Sequence, residues 1–284
     1  MEFTACRLPG RRHRDGCSLM RDPYESLAPD GTIVTGASRD RVPVEFQPVI
    51  ADVVSRLDPQ VPLYLYGSVA TGQAVVGRSD VDLLAIGLDP AEAAMLTRRL
   101  SAQHRSLARE VAIGTATTQD LGSHDEGYGN RVFLRHYCVW LAGPDPAADL
   151  PPYRGDRAAA RGFNGDLPAR REAWRDTLAR IPEGADQDQP AQAAVGALAR
   201  SIGRKTLVAV AGLVSVHDGT WTTDRARAAS RWGGIHPELR DDLGLLLAWG
   251  DGESRVERSE VERVLDDGLR LIADQFVDQI GTWR

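Results

Sequence analysis

Apolar positions recur at helical spacing through residues 44–57, VEFQPVIADVVSRL, which predicts an amphipathic helix. Leu63-Tyr64-Leu65-Tyr66 is a short β-prone run that Gly67 ends. A short helix is expected over Val69 to Gln73, then a loop around Gly77. Asp80-Val81-Asp82-Leu83-Leu84-Ala85-Ile86 reads as a second strand. Asp89-Pro90 has the signature of a helix start, and the pattern carries that helix to about His104. Glu110-Val111-Ala112-Ile113 reads as a third strand, and Arg131 to Leu141, RVFLRHYCVWL, as a further β-leaning stretch.

The pattern changes at Gly143. Residues 143–168 are rich in Pro, Gly and Asp and read as a linker. Beyond them the spacing predicts helices over Ala169–Arg180, Ala191–Val216, His236–Gly250 and Ser259–Ile280. The expected architecture is α+β: a mixed sheet with helices over residues 41–150, then a C-terminal all-helical bundle over 151–284. Residues 1–40 read as a disordered or irregular arm; the first twenty are basic but lack the apolar centre of a signal peptide.

Composition narrows the options. A formal net charge of -6 gives no general grip on nucleic acid, and suits a cationic partner better. No apolar run approaches the ~20 residues of a membrane span. Cys6, Cys17 and Cys138 form no CxxC pair, so free thiols and a cytoplasmic setting are expected. The His residues lack zinc-ligand spacing. Lys205 is the sole lysine among many arginines, a bias that a GC-rich genome explains.

The chemistry concentrates in Gly67-Ser68, eleven further residues, and Asp80-Val81-Asp82. Gly67 lets the backbone turn sharply and approach a ligand. Ser68 is expected to open the next helix, where N–H groups favour phosphate and its hydroxyl adds a donor. Asp80 and Asp82, two apart on a strand, share a face. Such close like charges call for a cation, and Mg2+ prefers carboxylate together with phosphate oxygens. Two Mg2+ ions would activate the acceptor and stabilise a leaving pyrophosphate. Glu110, opening the next strand, is placed to bind a metal, to take the acceptor proton, or both. Arg78 and Ser79 are further candidates for nucleotide contact, as is Lys205; Arg78 also fits a loop-orienting role, and Arg204 and Lys205 a solvated helix face. Asp241, Asp242 and Glu253 could attract a cationic substrate or simply be helix-surface charges, and Trp140, Trp174, Trp221, Trp232 and Trp249 are expected in cores or interfaces.

LYGSVATGQAVVGRSDVDLLAIG resembles the signature of the nucleotidyltransferase superfamily. VWLAGPDP with LPP resembles the domain junction of the aminoglycoside adenylyltransferases that modify streptomycin and spectinomycin, and Ala197–Val216 with HDGTW is similar to their helical domain. The resemblance, spanning about residues 60 to 250, implies antibiotic modification. ATP would be co-substrate, bound between the domains, and AMP would pass to a hydroxyl of a small molecule. It also implies Asp80 and Asp82 as metal ligands, Glu110 as base and Ser68 as phosphate ligand. The chain departs from the group where a lysine would follow the helix-ending Gly219: Thr220 stands there, with Arg225 the nearest base. Two alternatives remain at this level: AMP transfer to a protein or RNA, as in toxin–antitoxin relatives, and a nucleotide-binding module without catalysis.

Overall fold

The computed structural model describes residues 22–182, 189–252 and 255–283. Cys6, Cys17, Glu253 and the first part of the expected N-terminal arm lie outside the described residues. The chain divides into two compact units at Arg154/Gly155.

The first unit is built on a four-stranded mixed sheet in the order β5-β4-β3-β6. The strands are β3 (Leu63–Tyr66), β4 (Val81–Ile86), β5 (Val111–Ala116) and β6 (Val139–Ala142). β3 runs antiparallel to β4 and β6, whereas β4 and β5 are parallel. The parallel pair needs a crossover, supplied by helix α3 (Pro90–Gln103). Asp89 caps α3 by accepting the N–H groups of Ala91 and Glu92 at 2.9 and 3.1 Å. Ser101 and Thr97 of α3 in turn accept the N–H groups of Val111 and Ile113, satisfying the open edge of β5.

Strand alternation sorts the two faces. Leu63, Leu65, Val81, Leu83, Ala85, Val111 and Ile113 pack against α3 and helix α1 (Gln47–Arg56), which supplies Val49, Ile50 and Val53. Tyr64, Leu84 and Ile86 pack on the other face with Leu134. Leu134 belongs to helix α4 (Asp125–Tyr137), which corrects the expected strand over Arg131–Leu141. Val, Phe and Tyr made that stretch look extended. The charges told otherwise: Asp125 and Glu126 in the first turn and Arg135 and His136 in the last complement a helix dipole. Only β6 is extended, and on that edge strand Trp140 is exposed rather than in a core, its Nε1 donating to Gly143 O.

Residues 22–40 are not an irregular arm throughout. β1 (Ser26–Leu27) and β2 (Ile33–Val34) form a small hairpin, and Ile33 N–H donates to Tyr153 O. His136 anchors the same neighbourhood: its Nε2 accepts the Tyr153 N–H at 2.8 Å, which requires the neutral ring.

The regular elements among the second unit's described residues are all helices. They include α5 (Arg157–Asn164), α6 (Leu167–Ala179), α7 (Gln189–Asp218), α8 (Arg225–Ile235), α9 (Arg240–Asp251), α10 (Arg258–Asp266) and α11 (Gly268–Gln279). α5 corrects the linker expected over 143–168: Asp156 caps it by accepting the N–H groups of Ala158 and Ala159. The helix expected over Ser259–Ile280 is broken at Asp267, where Gly268 passes so close to Asp242 that a Cβ would meet Oδ2 at 2.2 Å. Asp242, read as a possible surface charge, is buried and accepts from Arg263 Nη1 at 2.7 Å. Trp174, Trp221, Trp232 and Trp249 are buried. The 30-residue α7 supplies much of this unit's apolar core. No helix among the described residues is long and apolar enough to cross a membrane.

Two outcomes follow. α7 and α9 approach at backbone level, since a Cβ on Gly203 would stand 2.3 Å from Leu246 O. Gly203→Ala should therefore lower stability by about 1–3 kcal/mol despite alanine's higher helix propensity, read by thermal and urea unfolding. Burial, with help from Arg135, pulls the His136 ring down to about 4. The unfolded ring titrates near ~6.5, so its contribution is complete above that pH and declines as pH falls from ~6.5 towards 4. Solvent screening of this half-buried ring limits the loss to about 1 kcal/mol between pH 7 and 5. Unfolding curves of His136→Gln should be flatter over that interval.

Candidate active site

Asp82 is positioned by strand alternation. Its neighbours Val81 and Leu83 are buried towards α1 and α3, which turns Asp82 to the face of Leu84 and Ile86, at the end where the apolar cover stops. Across the antiparallel ladder it lies opposite Tyr66. Burial, and then the Asp82 carboxylate, push the Tyr66 phenol far above its ordinary pKa, so the phenol stays neutral beside the negative charge.

The chain leaves Tyr66 directly into the four-residue helix α2 (Gly67–Ala70), two residues earlier than the expected start at Val69. Gly67 has φ of 72°. A Cβ there would stand 2.6 Å from Asp82 Oδ2. The left-handed backbone favours glycine here, and any side chain would press on the Asp82 carboxylate. Ser68 follows, half-buried, beside this carboxylate-filled turn.

Asp80 stands one residue before β4. The turn that delivers it is braced by Ser79, whose buried Oγ accepts the Val75 N–H at 2.9 Å, and by Gly77 N–H donating to Leu107 O at 2.8 Å. Ser79, expected at the nucleotide, is used by the chain to shape this turn; Arg78 is exposed on it. Asp80 itself is held by Arg109, with Nε donating to Oδ1 at 2.8 Å and Nη2 donating to Oδ2.

Glu110 precedes β5 as Asp80 precedes β4. Val81 pairs with Val111 in the parallel register, and Val81 N–H donates to Glu110 O at 2.9 Å. Asp80 and Glu110 are therefore neighbours across the ladder, one step before the first paired residues. The donors are all carboxylate oxygens, the ligand class of a hard divalent cation. Among the described residues, however, no three His, Cys, Asp or Glu side chains are gathered into a ready metal set. The expected triad of Asp80, Asp82 and Glu110 is close in register but not converged, with Asp80 turned into the Arg109 fork. A carboxylate pair fits Mg2+ without a third ligand, because this ion usually completes its shell with water and phosphate.

Lys205 lies in the second unit. Its Nζ donates to Phe163 O at 2.7 Å and pairs with Asp166 at 2.9 Å. Arg225, the base nearest to Gly219, is buried and paired with Asp251 at 3.0 Å. Arg204 donates to Gly250 O. Lys205 and Arg225 are thus tied to carboxylates of their own unit, and Arg204 lies on an exposed helix face as the spacing suggested. Arg109 is the residue that sequence reasoning missed. The signal was available: a cation directly before Glu110, next to carboxylates that need one.

Gly67→Ala should cost roughly 1–3 kcal/mol of stability, because the left-handed backbone is strained by a side chain and Asp82 must move, as melting curves would read.

Comparison with known proteins addresses the same stretch. No curated protein matches the chain. Among solved structures, spectinomycin adenyltransferase from Enterococcus faecialis, determined with ATP and spectinomycin, aligns over 81% of this chain and 98% of that one. The identity is 13% and the TM-score 0.40, too loose a superposition to bear on fold or function. Residues 49–126 match the family model of the nucleotidyltransferase domain. That span runs from α1 to the start of α4 and includes the Gly67 turn, both aspartates and Glu110, so the similarity to a nucleotidyltransferase domain falls on the candidate site itself.

Proposed function

We propose that the protein transfers AMP from ATP to a hydroxyl of a small molecule, in a Mg2+-dependent reaction. The observation that carries this reading is the pairing of Asp82 with the Gly67 turn: a carboxylate fills the space a side chain would take, beside a serine hydroxyl suited to phosphate. Asp80 and Asp82 would hold two Mg2+ ions, which supply neutralisation of the triphosphate and of the departing pyrophosphate. Ser68 would bind a phosphate oxygen. Glu110 would accept the proton of the acceptor hydroxyl as that oxygen forms a bond to the α-phosphorus and the bond from the α-phosphorus to the bridging oxygen breaks. Pyrophosphate leaves with the bonding electrons. Positioning and charge neutralisation would provide most of the rate gain.

An aminoglycoside-like acceptor is supported by the sequence around Val139–Pro152 and Ala197–Trp221, which resembles that group of adenylyltransferases. The formal charge of -6 suits a cationic acceptor and argues against RNA.

Pyrophosphate release from ATP and Mg2+ should require one member of a panel containing streptomycin, spectinomycin and kanamycin. Asp82→Asn should lower that rate by roughly 10²-fold or more while remaining folded. Release with no member of the panel, from a protein that binds ATP, would overturn the small-molecule acceptor and direct the search to protein and RNA substrates.

A further inference from the structure

Arg109 engages both carboxylate oxygens of Asp80. Backbone pairing fixes this encounter: Arg109 N–H donates to Ser79 O at 3.0 Å, so the segments that lead into the two parallel strands are locked side by side. A guanidinium fork on a carboxylate is among the strongest polar pairings a side chain makes, and it engages the same oxygens that a metal would take. The pair is only partly withdrawn from solvent, at 38% side-chain exposure for Arg109 and 19% for Asp80, so it can open without unfolding the strands. No three-residue metal set is assembled among the described residues while this fork is closed.

We infer that Arg109 is a built-in cation that holds Asp80 until a divalent metal displaces it. This rests on the reading of Asp80 and Asp82 as metal carboxylates. Without a metal, adjacent carboxylates repel, and the guanidinium relieves that repulsion at Asp80. With a metal, the fork must open before Asp80 can ligate. Arg109 therefore sets the divalent-cation concentration at which the site assembles, and it protects the empty site from like-charge strain.

The test is Mn2+ binding to the nucleotide-free protein, read by loss of the free Mn2+ EPR signal. Binding by the wild type that disappears in Asp82→Asn establishes the site itself. Against that baseline, Arg109→Gln should bind Mn2+ roughly 3–10-fold more tightly, and Arg109→Lys, which keeps the charge but loses the fork, should fall between the two. In the wild type, Mn2+ should also speed phenylglyoxal modification at Arg109, measured by peptide mass analysis, a readout independent of either variant's folding. Equal or weaker Mn2+ binding by Arg109→Gln, an Arg109→Lys indistinguishable from wild type, or an unchanged modification rate would overturn the latch while leaving the metal site in place. Absence of Mn2+ binding by the wild type would overturn both.

Discussion

The register of β4 against its two neighbours governs the first unit. Val81, Leu83 and Ala85 are fully buried on one face, and that burial fixes which face Asp82 occupies. A slip of one residue would drive Asp82 into the apolar layer formed with α1 and α3, at a desolvation cost no local contact offsets. Once the register is set, the rest follows from the ladder. Tyr66 lies opposite Asp82, Gly67 comes next and leaves room for its carboxylate, and Glu110 comes level with Asp80. The site thus owes its geometry to hydrophobic burial on the opposite face of the same strand.

Charge accounting explains much of the remaining design. In the second unit, Lys205 and Arg170 both serve Asp166, whose carboxyl stays below its usual pKa because these partners outweigh the effect of burial. Arg225 and Arg263 similarly neutralise Asp251 and the buried Asp242. Arg170, Arg225 and Arg263 thus neutralise carboxylates within their own unit. In the first unit the same pairing falls on Asp80, the carboxylate for which we propose a second use.

Much of this was legible in the amino-acid sequence because local signals and tertiary context agreed. The β3 and β4 strands, the Asp89-Pro90 helix start and the α+β order were readable from period, caps and turn residues. Failures came where composition and position conflicted. Residues 131–141 look β-prone, yet acidic residues at one end and basic residues at the other belong to a helix, α4. The apparent linker hid α5, whose cap and alanines sit among residues that otherwise signal turns. At the site, the Gly-Ser and Asp-x-Asp pattern identified the strand ends. The roles of Ser79 as a turn brace and of Arg109 as the partner of Asp80 depend on contacts across distant segments, which spacing along the chain does not encode.

The central claim is that Asp80, Asp82 and the Gly67-Ser68 turn together form a metal-dependent triphosphate site. The most direct test is calorimetric titration with α,β-methylene ATP, which binds without reacting, in Mg2+ and in EDTA. The account predicts one site per chain with Mg2+ present and binding at least about tenfold weaker in EDTA. Equal affinity in the two conditions, or no binding in Mg2+, would contradict it.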